Sequence, residues 1–425
     1  MATKTPKNYR NQVLYSVFVR NYSEEGTFEA VRRDLDRIKA LGVDILWLMP
    51  IHPIGEKARK GTVGSPYAAK DFRAITPDFG TEEDLQRLVT SAHEKGMKVI
   101  MDIVYNHTAP DSWLAEHHPE WFYRKPDGSF GNKVGDWYDI IDLDYNQKGL
   151  WDYQIETLKQ WAAIVDGFRC DASPLIPLAF WQKAREEVET VRPGCIWIAE
   201  TVEPEFIRFL RSQGLVAHSD CEAFQVFDMS YEYDSYVVYR DYLHGQIPLS
   251  TYTEALNWQE SVYPDNYVKL RFLENHDRPR VGQLVRDAQM RRAWTAFLYF
   301  QKGMVMLFNG QEVSNAHRPQ LFEKDPVDWT EGEDISLLLR KLYDIKQDPI
   351  FADSAYDVKA LPTEVIFATH TKGDRQLLGW FPVRGSCTAV KTDLPDGVYE
   401  NLLGGTVDIF EGSFGLIGEP VIIRR

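Results

Sequence analysis

The sequence predicts an α/β fold, a parallel (β/α)8 barrel with a short insertion after its third strand and a small antiparallel β domain at the end of the chain. Three observations carry that expectation. Strand-like runs and amphipathic helical runs alternate eight times between residues 13 and 347, the rhythm of parallel βα units. Several of those runs finish in acidic residues: Lys98 to Asp102 leads to Asn106-His107, Ile196-Trp197-Ile198-Ala199 ends in Glu200, and Leu270-Arg271-Phe272-Leu273 leads to Glu274-Asn275-His276-Asp277. Carboxylates gathered at the ends of different strands mark the functional face of a barrel. After Asp348-Pro349 the texture changes to alternating runs at 364–371 and 376–381, with turn signals at Pro395-Asp396-Gly397 and Gly404-Gly405, which read as antiparallel hairpins.

Taken in order, residues 13–20 form a first strand and 27–41 a helix. Thr27 is placed to cap it, Phe28, Val31, Leu35, Ile38 and Leu41 make one apolar face, and Gly42 ends it. The second strand, 43–49, is almost wholly apolar, as a strand covered on both faces should be. A long polar loop to about residue 80 follows, and loops of that length in a compact domain tend to carry function. Thr81-Glu82-Glu83-Asp84 opens the next helix with the pattern of a capping box. Strand three is 98–105. The stretch 106–146 breaks the rhythm, being rich in Trp, His, Pro, Gly and Asp, and reads as an excursion. A helix over 149–165 leads into strand four, and one over 180–191 precedes strand five at 195–199. Strand six is expected at 222–228, followed by irregular, aromatic-rich chain to about 265. Strand seven at 268–273, a helix over 288–302, strand eight at 304–308 and a helix over 335–347 complete the round. The domain boundaries expected are 1–104 with 147–350 for the barrel, 105–146 for the insertion and 351–425 for the β domain.

Bulk properties narrow the function. A net charge of −15 disfavours nucleic acid and anionic membranes as partners and is indifferent to a neutral substrate. No apolar run approaches the roughly 18 residues that a membrane span needs. The start lacks the apolar centre of a secretion signal, so the chain as written reads as cytoplasmic, although an exported chain trimmed of its leader would look the same. Cys170, Cys195, Cys221 and Cys387 show no metal or redox spacing. Three of the four lie in or beside expected strands, which favours buried free thiols and a reducing compartment.

The chemistry centres on Gly167-Phe168-Arg169-Cys170-Asp171. Alternation along a strand puts Arg169 and Asp171 on one face and Phe168 and Cys170 on the other. Asp171 beside Arg169 suits a nucleophile held ionised, and Glu200 after an apolar run suits a proton donor whose pKa is raised. That pair is the equipment of glycoside cleavage with retention. Asp102, on the neighbouring strand, is expected to orient the guanidinium. His107 and His276 at loop starts read as hydrogen-bonding groups, and no His-Glu-x-x-His spacing supports metal catalysis.

The motifs Asp-Ile-Val-Tyr-Asn-His at 102–107, Gly-Phe-Arg-Cys-Asp at 167–171, Ile-Ala-Glu at 198–200 and Glu-Asn-His-Asp at 274–277 resemble, in order, those of the α-amylase family, glycoside hydrolase family 13. Pro66-Tyr67 with Asp71, Pro77-Asp78-Phe79-Gly80-Thr81 and Asn309-Gly310-Gln311-Glu312 add to the likeness. The resemblance implies a TIM barrel with a short domain B and a C-terminal β domain, and retaining cleavage of α-1,4-glucosidic bonds in starch-derived glucans and maltooligosaccharides. It makes Asp171 the nucleophile, Glu200 the acid/base and Asp277 the third carboxylate, with Tyr67, His107, Arg169 and His276 around the same sugar. No cofactor is implied for the chemistry, and the partner is a neutral oligosaccharide or polysaccharide. Many relatives carry a Lys-His pair where this chain has Pro174 and Leu175. That departure counts against the family's structural calcium, of which Asn106 and Asp142 would be two ligands. Residues 140–144 match no subgroup cleanly, so endo-amylase, exo-acting glucosidase, maltogenic amylase and transglycosylase all remain open. A glucan-binding protein that has lost its chemistry would be expected to lack one of the three carboxylates. With no accessory segment before the first strand, a monomer is expected.

Overall fold

Eight short parallel strands pair in sequence order, and the last closes on the first. They are β1 (Val13–Val17), β2 (Ile45–Leu48), β3 (Lys98–Ile103), β4 (Gly167–Cys170), β5 (Ile196–Ala199), β6 (Met229–Tyr231), β7 (Lys269–Arg271) and β8 (Met304–Phe308). The computed structural model describes residues 4–135, 137–385 and 388–425. Closure is set by β1 and β8, where Val13 to Ser16 pair with Val305 to Phe308. Every residue of β1, β2, β4, β5 and β8 is buried, because helices cover the outside of the barrel and side chains fill its centre. Gly167 opens β4 for a steric reason: a Cβ there would lie 2.4 Å from the Ile196 carbonyl oxygen of β5.

The fold class is the one predicted, and several elements differ in detail. The first strand, expected to reach residue 20, ends at Val17, and Val19–Tyr22 is helical. The helix expected over 27–41 is two, Phe28–Arg33 and Leu35–Ala40. Thr27 caps the first as expected, its side chain accepting from the Ala30 N–H. The break falls at Asp34, whose carboxylate takes the Tyr22 hydroxyl and the Arg37 guanidinium. Strand six is not at 222–228. Ser219 and Glu222 form a reciprocal capping box that starts a short helix, Asp220–Ala223, and the strand follows at Met229–Tyr231. The stretch to 265, expected to be irregular, contains two helices, Tyr233–Leu243 and Leu249–Val262. Their buried Tyr233, Tyr236 and Tyr239, then Tyr252 and Leu256, recur at helical spacing.

Between β3 and the helix Lys148–Ala162 the chain makes its excursion, pinned by a two-residue pairing of His107–Thr108 with Ile141–Asp142. Beyond residue 350, Ala355–Leu361, Val365–Lys372, Arg375–Pro382 and Val421–Arg424 form an antiparallel sheet in that order. It docks on the barrel helix Ala288–Phe300, with Phe381 5.3 Å from both Phe297 and Phe300 between ring centroids. Of the cysteines, Cys170 and Cys195 are buried free thiols, Cys221 is an exposed one on the short helix, and Cys387 lies outside the described residues. Among the described residues no helix is long and apolar enough to cross a membrane.

Candidate active site

Arg169 organises the mouth of the barrel. Alternation on β4 turns it inward, while Phe168 packs outward on Trp197 at 5.4 Å between ring centroids. Asp102 of β3 is its partner in register. Arg169 Nη1 donates to both oxygens of Asp102, at 2.9 and 3.2 Å, and to Asp171 Oδ1 at 2.8 Å. Its Nη2 forms an ion pair with Glu200 Oε1 at 2.6 Å. One wholly buried cation thus binds three carboxylates. The other Glu200 oxygen accepts the Ala172 N–H at 2.8 Å. Ala172 follows Asp171 in the left-handed region, at φ 43°, a conformation that an alanine holds only where its surroundings enforce it.

These surroundings tune the acids. Burial pushes Glu200 up to about 7, Arg169 pulling back and the Asp171 and Asp277 charges adding to the rise. Asp171 is also raised by burial, against the pull of Arg169. Asp277 behaves oppositely. Desolvation at the mouth works to raise it, but the His276 imidazole, 3.1 Å away, together with Arg169 and Arg278, holds it well below the usual carboxylate range. The site therefore contains carboxyls pushed apart in acidity, the arrangement that acid/base chemistry requires.

Asp171, Glu200 and Asp277 line one cavity of about 560 Å³, together with Tyr67 and His107. Two of the expected sugar contacts lie beneath this lining. Arg169 is inaccessible, and His276 is covered by Tyr67, whose ring stacks on it at 5.3 Å and whose hydroxyl meets its Nε2 at 2.7 Å. Arg169 and His276 thus position the groups that face the cavity. His107 is buried, and desolvation lowers its pKa, which favours the neutral ring. The lining also holds Lys60, Trp137, Asp139, Glu203, Phe206, Tyr233, Arg278, Leu321 and Phe322, which sequence reasoning did not single out. Lys60 lies in the long loop after strand two, and Trp137 and Asp139 in the excursion, the segments that had drawn notice.

The expected calcium pair does come together, with Asn106 Nδ2 3.4 Å from Asp142 Oδ1. Asp142 Oδ2 accepts the Lys133 N–H at 2.7 Å, and the Lys133 ammonium donates to the Leu143 carbonyl at 3.2 Å. Calcium takes about six to eight oxygen ligands. Here one carboxylate, one amide and a lysine share the space, and among the described residues no group of three or more His, Cys, Asp or Glu side chains is placed to hold a metal ion. Asn106 and Asp142 are thus two candidate oxygen donors with the Lys133 side chain beside them.

The sequence model of the family described as "Alpha amylase, catalytic domain" matches residues 12–140 and 135–352. The chain belongs to the α-amylase family of glycoside hydrolases. A second model, "Bacterial Alpha amylase C-terminal domain", matches residues 357–423. An α-amylase structure from Lactobacillus plantarum is 46% identical, with a TM-score of 0.97 over 99% of this chain and 100% of that one. A noncanonic maltogenic α-amylase from Thermotoga neapolitana is 33% identical, with a TM-score of 0.86 over 98% and 99% of the two chains. The α-amylase MalA of Haloarcula japonica is 26% identical over 93% of this chain, which spans 59% of that relative's length. α-Amylase family members act on oligosaccharides and polysaccharides, and their chemistry in general needs no cofactor.

Proposed function

We propose that this chain is a retaining hydrolase of α-1,4-linked glucans and maltooligosaccharides. Asp171 attacks the anomeric carbon as Glu200 gives its proton to the departing glycosidic oxygen, leaving a sugar esterified to Asp171. Glu200, now ionised, takes a proton from water as that water attacks the same carbon, and Asp171 leaves. Two inversions restore the α configuration. Asp277, ionised and open to the cavity, binds the hydroxyls of the reacting sugar. Tyr67 offers that sugar an aromatic face. The observation that carries this reading is that Asp171 and Glu200 bind opposite nitrogens of a single guanidinium. An inverting pair stands about 6.5–9.5 Å apart to admit a water, and a retaining pair about 5–5.5 Å. Two carboxyls that share one guanidinium and also hydrogen-bond each other leave little room for a water between them, which favours the shorter class.

Incubation with maltooligosaccharides followed by proton NMR tests the proposal. The first product signal is the α-anomer, and an initial β-anomer means inversion and a different mechanism. Transfer to a sugar is the same second step with a hydroxyl in place of water. It is the competing outcome favoured by the likeness, 32% over 59% of this chain, to a maltosyltransferase of Rhodospirillum rubrum. Products longer than the substrate would reveal it.

The same reading extends to the excursion, where the Lys133 backbone N–H binds Asp142 and its side-chain charge favours the ionised carboxylate. Exhaustive dialysis against a chelator is therefore expected to leave both the melting temperature and the turnover unchanged. A fall in either that added calcium reverses would refute this reading.

A further inference from the structure

Resting on the hydrolase reading, the closed side of the cavity says where on a glucan the enzyme cuts. Glu200 follows β5, and protonation by it releases the reducing-end portion of the chain on that side. The non-reducing portion points the other way, towards β1, which stands opposite β5 in the barrel order. There the loops after β8, β1, β2 and β3 are joined into one wall. The Val63 and Gly64 N–H groups both donate to the Phe322 carbonyl at 3.1 Å, and Thr62 N–H donates to Glu323 Oε1 at 2.9 Å. Arg20, just past β1, ties the two loops from below through the Gly64 and Leu321 carbonyls. Gly61 shows how close they run. It sits at φ 64°, and a Cβ there would lie 2.6 Å from Glu323 Oε1 and 2.7 Å from the Phe322 carbonyl oxygen.

Lys60 carries the wall on to the excursion. Its ammonium pairs with Asp139 Oδ1 at 2.7 Å, and it stands over the Tyr138 ring at 4.9 Å and the Phe322 ring at 5.7 Å. Asp139 is buried and Lys60 largely so, the setting in which an ion pair is least screened by solvent. Lys60, Asp139, Leu321 and Phe322 all line the cavity. On the Glu200 side the lining is instead an apolar slope of Leu175, Val202 and Phe206, suited to the faces of sugar rings leaving the site.

We infer that Lys60 and Phe322 are specificity-determining stops that close the non-reducing side of the cavity, so that the enzyme attacks glucans from the non-reducing end and releases short products. A chain running past the reacting sugar in that direction would have to displace the Lys60–Asp139 pair. Attack in the interior of a glucan is excluded by the same wall.

The test compares two aryl maltoheptaosides, one free and one ethylidene-blocked at its non-reducing end. Wild-type enzyme is expected to cleave the blocked substrate at less than about one hundredth of the rate of the free one, a discrimination that steric exclusion supplies. Lys60→Ala combined with Phe322→Ala is expected to raise the blocked-to-free ratio by at least about tenfold, roughly 1.4 kcal/mol of relaxed exclusion. Lys60→Met, which keeps the side chain's bulk and drops only its charge, serves if the double variant does not fold, and it moves the ratio in the same direction. Equal cleavage of both substrates by wild type would overturn the wall and leave the hydrolase reading standing. No cleavage of either would overturn the hydrolase reading itself. A ratio unchanged in folded variants would remove the assignment to Lys60 and Phe322.

Discussion

Replacing Asp171 by Asn lowers kcat on maltooligosaccharides by roughly four orders of magnitude, and replacing Glu200 by Gln does nearly as much, with both proteins folded. The fold survives because each change is close to isosteric and Arg169 keeps Asp102 as its partner in register. Chemistry does not survive, because an amide neither attacks the anomeric carbon nor donates a proton of the right acidity. The two losses differ in kind. For Glu200→Gln the deficit shrinks on an aryl glycoside whose phenolate leaves without a proton, whereas for Asp171→Asn it does not. The wild-type pH profile carries the same assignment. Glu200 acts as acid only while protonated, so with its pKa pushed up to about 7 the alkaline limb of kcat/KM falls there. The acid limb belongs to ionisation of Asp171, raised by burial, and lies above the ordinary aspartate value. As the carboxyls interact, the two limbs are properties of the pair. Loss of the alkaline limb in Glu200→Gln, measured on the aryl substrate, completes the test. An unchanged limb there would return the acid/base role to some other group.

Why the acids were legible and their surroundings were not follows from how each is positioned. Asp171, Glu200 and Asp277 are fixed by local rules, a two-residue alternation and the place where a buried strand runs out. The wall is fixed by contacts between Thr62 and Glu323, 261 residues apart, and nothing in either loop's own sequence announces the other. Strand six escaped for a different reason. Its three residues are too few for a period to show, while 222–228 has the apolar content of a strand. The decisive signal was Ser219 three residues before Glu222, a capping box that starts a helix where a strand was expected. The tyrosine-rich helices that follow carry no side-chain N-cap, since Glu232 and Pro248 precede them, so aromatic content hid a helical period. Burial also corrected a sign. Arg169 does favour the ionised Asp171, but desolvation is the larger influence and leaves the carboxyl raised.

Arg169→Met is expected to be the most destabilising single change at this site, costing about 3–5 kcal/mol at neutral pH because it strands buried charges. Asp102 is wholly inaccessible, and Asp171 and Glu200 are 7% and 9% exposed, so water cannot take over from the guanidinium. The pH dependence distinguishes this cause from a packing defect. Burial raises Asp102 well above its ordinary value and raises Asp171 and Glu200 too, and in each case Arg169 opposes the rise. A carboxyl raised on folding makes the folded state hold more protons than the unfolded one. Its contribution is therefore fully present below the unfolded pKa and is lost as pH climbs through the folded value. Removing Arg169 moves those folded values higher still. The stability gap to wild type, measured by urea unfolding, should thus be small near pH 5 and widen towards about pH 8. Adding Asp102→Asn to Arg169→Met removes one of the stranded charges and should recover part of the loss, a coupling that a double-mutant cycle reads directly. A gap that stays constant with pH, or a cycle that shows simple additivity, would mean that Arg169 serves the fold by its bulk and not by neutralising the acids it holds.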